Sequence, residues 1–342
     1  MDEAARVGLL AWYAAARRDL PWRRTRDPYA ILVSEMMLQQ TRVDVAAPYY
    51  GRWMARWPTL EALAAARGEE VLAAWSGLGY YRRARSLHAA AQAILRHHAG
   101  QVPREPGSLR ALPGIGPYTA AAVASIAHGV PAACVDGNVE RVVARVAGIR
   151  TRLDAPARRR IAGLAQQWLR PEAPGDWNQA MMELGATLCT PRRPQCGQCP
   201  VASSCASRGK DPEAVPRRKP AAAARKQSMH FAVVRRKGAV LLVRTPPTGL
   251  LGGMMSLPGG PASVPLARQV AQQTGLQVDV ARPGATVRHQ FSHRTWSMRV
   301  RAGTCAGGRP AAGARWVRED ALAEAALPAA MRKALRAGGV EA

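Results

Sequence analysis

Residues 112–129 read LPGIGPYTAAAVASIAHG, and residues 135–142, soon after, read VDGNVERV. The first stretch predicts the end of a short helix, a Gly-rich hairpin over Pro113–Pro117, and a second helix. Gly114 and Gly116 let backbone N–H groups approach closely and point at a phosphate beside a helix N-terminus. A turn of this kind alone would be an ordinary connection between helices; the acidic VDGN segment that follows sets it apart. Asp136 or Asn138 suits the N-cap of the next helix. A carboxylate held there also suits the stabilisation of positive charge on a sugar ring as a glycosidic bond breaks.

A second acid, Glu35, lies in SEMMLQQT (Ser34–Thr41), on a helix predicted to be capped by Asp27 with Pro28 at its first position. Ile31, Glu35 and Leu38 share one helical face, which places the carboxylate among apolar residues. Desolvation there raises a carboxyl pKa toward neutrality and makes it a proton donor. A surface Glu with a solvent-reaching rotamer is the plainer reading of the same periodicity. Two carboxylates in contrasting settings, one apolar and one polar, are what acid-assisted glycosidic cleavage requires.

Four of six cysteines crowd together as Cys189, Cys196, Cys199 and Cys205, spaced C-x6-C-x2-C-x5-C. That spacing lets one loop wrap four thiolates around a compact centre, as an iron–sulfur cluster requires. Structural zinc more often pairs two C-x2-C knuckles, and only Cys196 and Cys199 form one here, so zinc or free thiols are the weaker alternatives. Cys134 and Cys305 are expected to be buried small apolar residues. Arg192 and Arg193 in the cysteine loop are positioned to face phosphate.

The chain has 342 residues, enough for two or three domains without disulfide staples. Its 49 Lys and Arg against 23 Asp and Glu leave a formal charge of +26, which points to a polyanion, nucleic acid first, or to a generally basic proteome. The start, MDEAARVGLLAWYAAARR, carries acids where a secretory signal carries positive charge, and reads as an amphipathic surface helix. No stretch approaches the length of a membrane span, so a cytoplasmic or nucleoid-associated protein is expected.

Helix follows helix from the start to Cys205, predicting an all-α region over 1–207. Within it, about 25–132 should form a six-helix subdomain, and 1–24 with 133–207 the cysteine-loop subdomain. Arg208–Lys237 carries ten basic and two acidic residues with three prolines, a linker composition, taken as linker over 208–228. Beyond it, MHFAVV, AVLLV, TWSMRVRAG and ARWV read as strands of a smaller α/β domain over 229–342.

Hairpin, VDGN acid and cysteine quartet, in this order, resemble the endonuclease III superfamily of DNA glycosylases. LPWR (Leu20–Arg23), SEMMLQQT, GLGYYRRAR (Gly77–Arg85) and NQAMMELGA (Asn178–Ala186) narrow the resemblance to the adenine DNA glycosylases of the MutY family, over nearly the whole chain. The resemblance implies a helix-hairpin-helix core with a [4Fe-4S] cluster and a C-terminal Nudix-like domain. It implies an enzyme acting on double-stranded DNA that excises adenine mispaired with 8-oxoguanine or guanine, and a monomer is the usual expectation for an enzyme that wraps a bent duplex. It further implies that adenine flips into a pocket lined by Trp22, Arg23, Leu38 and Glu183. Glu35 then protonates adenine N7, Asp136 stabilises the oxocarbenium-like sugar, Asn138 supports the carboxylates, and Tyr118 hydrogen-bonds near Glu35. Gln40 and Tyr80 match residues that wedge into the stack beside the oxidised guanine, whereas Tyr81 is expected in the core. Phe291-Ser292-His293 matches the loop that reads 8-oxoguanine.

Strand-cleaving members of the superfamily carry a Lys where this chain has Tyr118, and some adenine glycosylases carry a Lys where it has Glu140, so imine chemistry should be absent or weak. Arg268–Leu276, RQVAQQTGL, resembles a Nudix box in which every Glu has become Gln, and amides cannot supply the charge that holds Mg²⁺. A Nudix hydrolase is thereby disfavoured. Two rivals remain: a bifunctional glycosylase and lyase acting on oxidised pyrimidines, disfavoured by Tyr118, and a non-catalytic iron–sulfur damage sensor, disfavoured by the intact Glu35 and Asp136.

Overall fold

The computed structural model describes residues 1–217, 224–281, 284–305 and 307–341. The chain divides into two compact units, Met1–Ala65 with Ser86–Pro220, and Ala66–Arg85 with Ala221–Ala342. Eleven helices precede the sheet: α1 (Glu3–Ala16), α2 (Pro28–Leu38), α3 (Val43–Arg56), α4 (Leu60–Ala65), α5 (Gly68–Ala74), α6 (Arg82–His97), α7 (Pro106–Arg110), α8 (Pro117–His128), α9 (Gly137–Val146), α10 (Ala155–Trp168) and α11 (Pro174–Thr187). Seven of these, rather than the six expected, fall between residues 25 and 132, because a short extended break ahead of Gly68 separates α4 from α5.

Local chemistry starts these helices. Asp2, Asp27, Asp136 and Asp154 each accept a hydrogen bond from a backbone N–H in the first turn that follows, the N-cap role that satisfies donors with no helical partner. In α1, Ala5, Leu9 and Tyr13 recur every fourth residue and are buried, against α9 and α11 in one core. Helix α2 differs: Tyr29 through Met37 are buried without interruption, as is α8 from Thr119 to Ile126, so these two are central helices with no solvent face. Helix α11 meets α9 closely because Gly185 has no side chain; a Cβ there would lie 2.6 Å from the Cβ of Asn138.

Residues 208–217, whose composition reads as linker, are tied into the first unit. Arg145 donates to the Val215 carbonyl at 3.0 Å, the Arg193 N–H to Glu213 at 2.8 Å, and Arg152 bridges Arg217. Residues 218–223, including Pro220 and most of the Ala221–Ala224 run, lie outside the described residues. Strand β1 has begun by Arg225, so 225–228 are strand rather than linker.

The second unit is built on an eight-stranded sheet: β1 (Arg225–Arg236), β2 (Ala239–Arg244), β3 (Met255–Ser256), β4 (Gly259–Pro261), β5 (Asp279–Val280), β6 (Ala285–Gln290), β7 (Arg294–Thr304) and β8 (Ala314–Arg318). Its spine is the parallel β1–β7 pair, in register from Arg225↔Arg294 to Val234↔Gly303, with β6 antiparallel to β7. Helix α12 (Leu266–Thr274) covers one face, packing Leu266 and Val270 against Ala232 and Val234. Helix α13 (Ala329–Ala337) covers the other, where its C-terminal Gly338 meets Val233.

The segment Ala66–Arg85 belongs to this unit. Glu69 pairs with Arg244 and Arg315, the Ser76 hydroxyl donates to the Leu327 carbonyl, and Arg85 donates to the Gly252 carbonyl. Cys134 is buried as expected, but Cys305 is only half-buried: it sits just past the end of β7, where its thiol turns back to the Gly307 carbonyl.

Candidate active site and cysteine loop

One open cleft of about 1600 Å³, counting its mouth, gathers Trp22, Arg23, Glu35, Leu38, Gln40, Gly114, Gly116, Tyr118, Asp136, Asn138 and Glu183. They arrive from five places: the turn before α2, the α2 C-terminal half, the α7–α8 hairpin, the α9 N-terminus and α11. Gly114 adopts φ +73°, and a Cβ there would collide with Ser86 at 2.3 Å, so the hairpin needs glycine on two counts. Gly116 caps α8 with no side-chain contribution, leaving first-turn N–H groups beside the cleft.

Glu35 is 5% exposed, and its Oε2 has no hydrogen-bond partner among the described residues. Burial pushes its carboxyl up to about 7; the Tyr118 hydroxyl and Arg23 guanidinium restrain the rise, and the charge on Asp136 adds to it. Tyr118 itself also donates to Met182 Sδ at 3.1 Å. Asp136 contrasts with Glu35. Burial raises its pKa too, but Oδ1 accepts the Val139 N–H at 2.7 Å, Oδ2 accepts Asn138 Nδ2 at 3.0 Å, and Arg141 adds a nearby positive charge. The capping role is thus filled by a carboxylate that also lines the cleft. Across this cleft one acid is short of partners and the other is well supplied.

The floor holds a charge pair that sequence reasoning half-missed. Glu183 is 1% exposed, and Arg18 grips it with two hydrogen bonds of 2.7 Å while Arg23 adds one of 2.8 Å. Burial alone would raise Glu183, but the two guanidiniums hold it down to about 2. Trp22 is fixed by an edge-on contact with Tyr50, ring centroids 5.4 Å apart. Arg18 belongs to no recognisable motif, and its partner lies 165 residues away.

Arg141 is the other residue missed. It donates to Asn138 Oδ1 at 2.8 Å, to the Gly185 carbonyl at 2.8 Å and to the Cys189 carbonyl at 2.9 Å, so Asp136, Asn138 and the cysteine loop form one hydrogen-bonded chain. The Asn138–Arg141 spacing of three on a helix was a signal available in the sequence.

Cys189, Cys196, Cys199 and Cys205 line a small apolar pocket together with Val142, Leu184, Arg208 and Pro212. Burial pushes the Cys199 thiol up to about 11, and its neighbouring cysteines add to this, so four thiolates together here call for a bound cation. Arg145, 1% exposed, donates to Cys189 Sγ at 3.3 Å. Arg192 and Arg193 are exposed on the loop, Arg193 with a left-handed φ of +49°.

In the second unit the Tyr80 and Ser292 hydroxyls bond one another. Phe291 stacks edge-on between His289 and Trp296, at 4.5 and 4.9 Å, while Ser292 and His293 are exposed at the β6–β7 tip. Gln40 and Tyr80 are non-glycine residues at φ +55° and +47°, a conformation that concentrates at functional positions. Tyr81 is buried. Glu140 pairs with Arg158 at 2.8 Å.

An adenine DNA glycosylase from Homo sapiens is 37% identical over 401 residues, covering 97% of this chain and 73% of the human protein. The chain belongs to the adenine DNA glycosylase family. The Mycolicibacterium smegmatis adenine DNA glycosylase is 49% identical over 197 residues, 57% of this chain and 67% of that one. Residues 33–171 match the HhH-GPD superfamily of base excision DNA repair proteins, 189–205 the iron–sulfur binding domain of endonuclease III, and 230–337 the NUDIX domain. A thermostable thymine-DNA glycosylase superposes at TM-score 0.55 and 30% identity, covering 60% of this chain and 95% of that chain. Endonuclease III bound non-covalently to DNA superposes at 0.52 and 26%, over 60% and 94%. An adenine DNA glycosylase of this architecture carries a [4Fe-4S] cluster, and the cysteine cavity fits it. Among the described residues no helix is long and apolar enough to cross a membrane.

Proposed function

We propose that this adenine DNA glycosylase removes adenine paired with 8-oxoguanine, and more weakly with guanine, by hydrolysis and without cutting the strand. The observation that carries the reading is Glu35: a buried carboxyl with a free Oε2, raised to about 7, in a cleft that also presents Asp136. Adenine cannot be reached inside a duplex, so it flips out into the cleft. Glu35 gives its proton to the base, which then leaves neutral rather than as an anion. Positive charge that grows on the sugar meets the Asp136 carboxylate, held in place by Val139 N–H and Asn138. Water completes the hydrolysis. The rigid Glu183–Arg18–Arg23 unit frames the base, and Trp22 and Leu38 supply apolar wall.

Tyr118 supports a monofunctional enzyme, because a phenol in the place of a lysine forms no imine. Gly114, Gly116, Arg192 and Arg193 are assigned to the DNA backbone. Gln40 and Tyr80 wedge beside the orphaned guanine, and Phe291, Ser292 and His293 read its oxidised edge. The four cysteines hold the cluster; when bound, it shapes the Arg192–Arg193 loop rather than taking part in bond cleavage. The test offers the purified protein duplexes bearing different lesions and resolves released base from strand nicking. Adenine release without nicking is the expected result; nicking, or release of oxidised pyrimidines, would overturn the reading.

A further inference from the structure

One face of the sheet is not used by the proposed reaction. Between Ala214 and Arg318 the chain has eighteen Lys and Arg and a single acid, Asp279. Strand register sorts these cations by face. Lys226 and Ser228 of β1 stand beside Thr295 and Ser297 of β7, and His230 beside Arg299. Ser297 and Arg299 in turn pair with Arg288 and Thr286 of β6. This is the α12 side, but α12 covers only the far end, from His230 onward, where Gln269 donates to the Pro261 carbonyl. At the near end Lys226, Ser228, Arg288 and Arg299 are exposed.

Among the described residues no acid forms an ion pair with Lys226, Arg288 or Arg299. Asp279 pairs with Thr304 at the opposite end of β7, Glu319 and Asp320 are engaged by Arg235 and Arg318, and Glu69 by Arg244 and Arg315. Along β7, Arg299 stands beside His230 and Arg301 beside Ala232 on this same face. Like charges on adjacent strands repel, so an arrangement of this kind calls for an anion from outside.

We propose that this open sheet face binds the phosphate backbone of duplex DNA. Guanidinium, ammonium and hydroxyl groups are the donors that phosphate oxygens take, and the face lacks the aromatic or aliphatic anchor that a protein partner would require. The same two strands, β6 and β7, carry Phe291–His293 at their tip, so a duplex read at the tip continues along the face. That last step rests on the assignment of the tip to the oxidised base.

The test is the salt dependence of binding by the full chain to an undamaged duplex and to a mispaired one, for wild type, R288Q/R299Q and the corresponding double lysine variant. The glutamine variant should bind both duplexes more weakly, with a log–log salt slope shallower by about 2, as loss of two phosphate contacts requires. Lysine should keep the slope, and single-turnover adenine release at saturating enzyme should not change. A wild-type slope in the glutamine variant, or a loss confined to 8-oxoguanine duplexes, overturns the proposal. Failure of the wild type to release adenine would instead strike the functional reading, since the slope is measured on undamaged DNA.

Discussion

Glu35 is one carboxyl asked to be both acid and buried, and both demands have measurable consequences. As a general acid with a pKa of about 7, it should give an excision rate that falls tenfold per pH unit above that value, where the protonated form is lost. Glu35→Gln should cost at least about a hundredfold in single-turnover excision while mispaired duplex still binds. Undiminished excision would remove Glu35 from the mechanism. Stability also falls as pH rises, over a lower window. The folded protein holds this proton more tightly than the unfolded chain, whose carboxyl stays near its ordinary 4.5, so Glu35 destabilises progressively as pH rises from there to about 7. Above that, the buried carboxylate costs roughly 3 kcal/mol. Thermal melts of Glu35→Gln against wild type should show the variant gaining at pH 8 and the gain vanishing near pH 4; a constant difference would contradict the burial argument. Ser292→Ala should lower the preference for 8-oxoguanine over guanine opposite adenine, and equal loss on both substrates would remove it from lesion reading.

At the scale of elements, the close meeting of α9 and α11 at Gly185 sets where Asn138, and through it Asp136, can stand. Gly185→Ala should destabilise by about 1–3 kcal/mol and lower excision further than the stability loss explains, as the helices part by the width of a methyl group. Measuring excision well below the melting temperature separates the two effects. What was legible in the sequence follows the same division. The α2 cap, its proline and the apolar surroundings of Glu35 were readable because helix starts and faces are written in neighbouring residues. The Arg18–Glu183 pair was not, because nothing local marks a contact across 165 positions. Residues 208–217 read as linker because their anchoring includes the Val215 carbonyl, and every residue type carries a carbonyl. The helix count slipped at α4 and α5, two short helices parted only by Ala66 and an extended Arg67, residue types that carry no break signal.

At the scale of the whole molecule, the second unit is discontinuous in the chain. It draws on Ala66–Arg85, whose Glu69, Ser76, Tyr80 and Arg85 find their partners at Arg244, Arg315, Leu327, Ser292 and Gly252. A fragment ending at residue 217 should therefore retain its iron–sulfur absorbance yet show fast backbone hydrogen exchange across 66–85, protected in the full chain. Equal protection in both would make the segment self-sufficient. The boundary that a reader of the gene would draw is thus not one the folded protein respects. Exchanging the C-terminal domain for that of a relative would also exchange the surroundings of Tyr80, more than a hundred residues upstream, so such chimaeras need the 66–85 segment transplanted with their new partner.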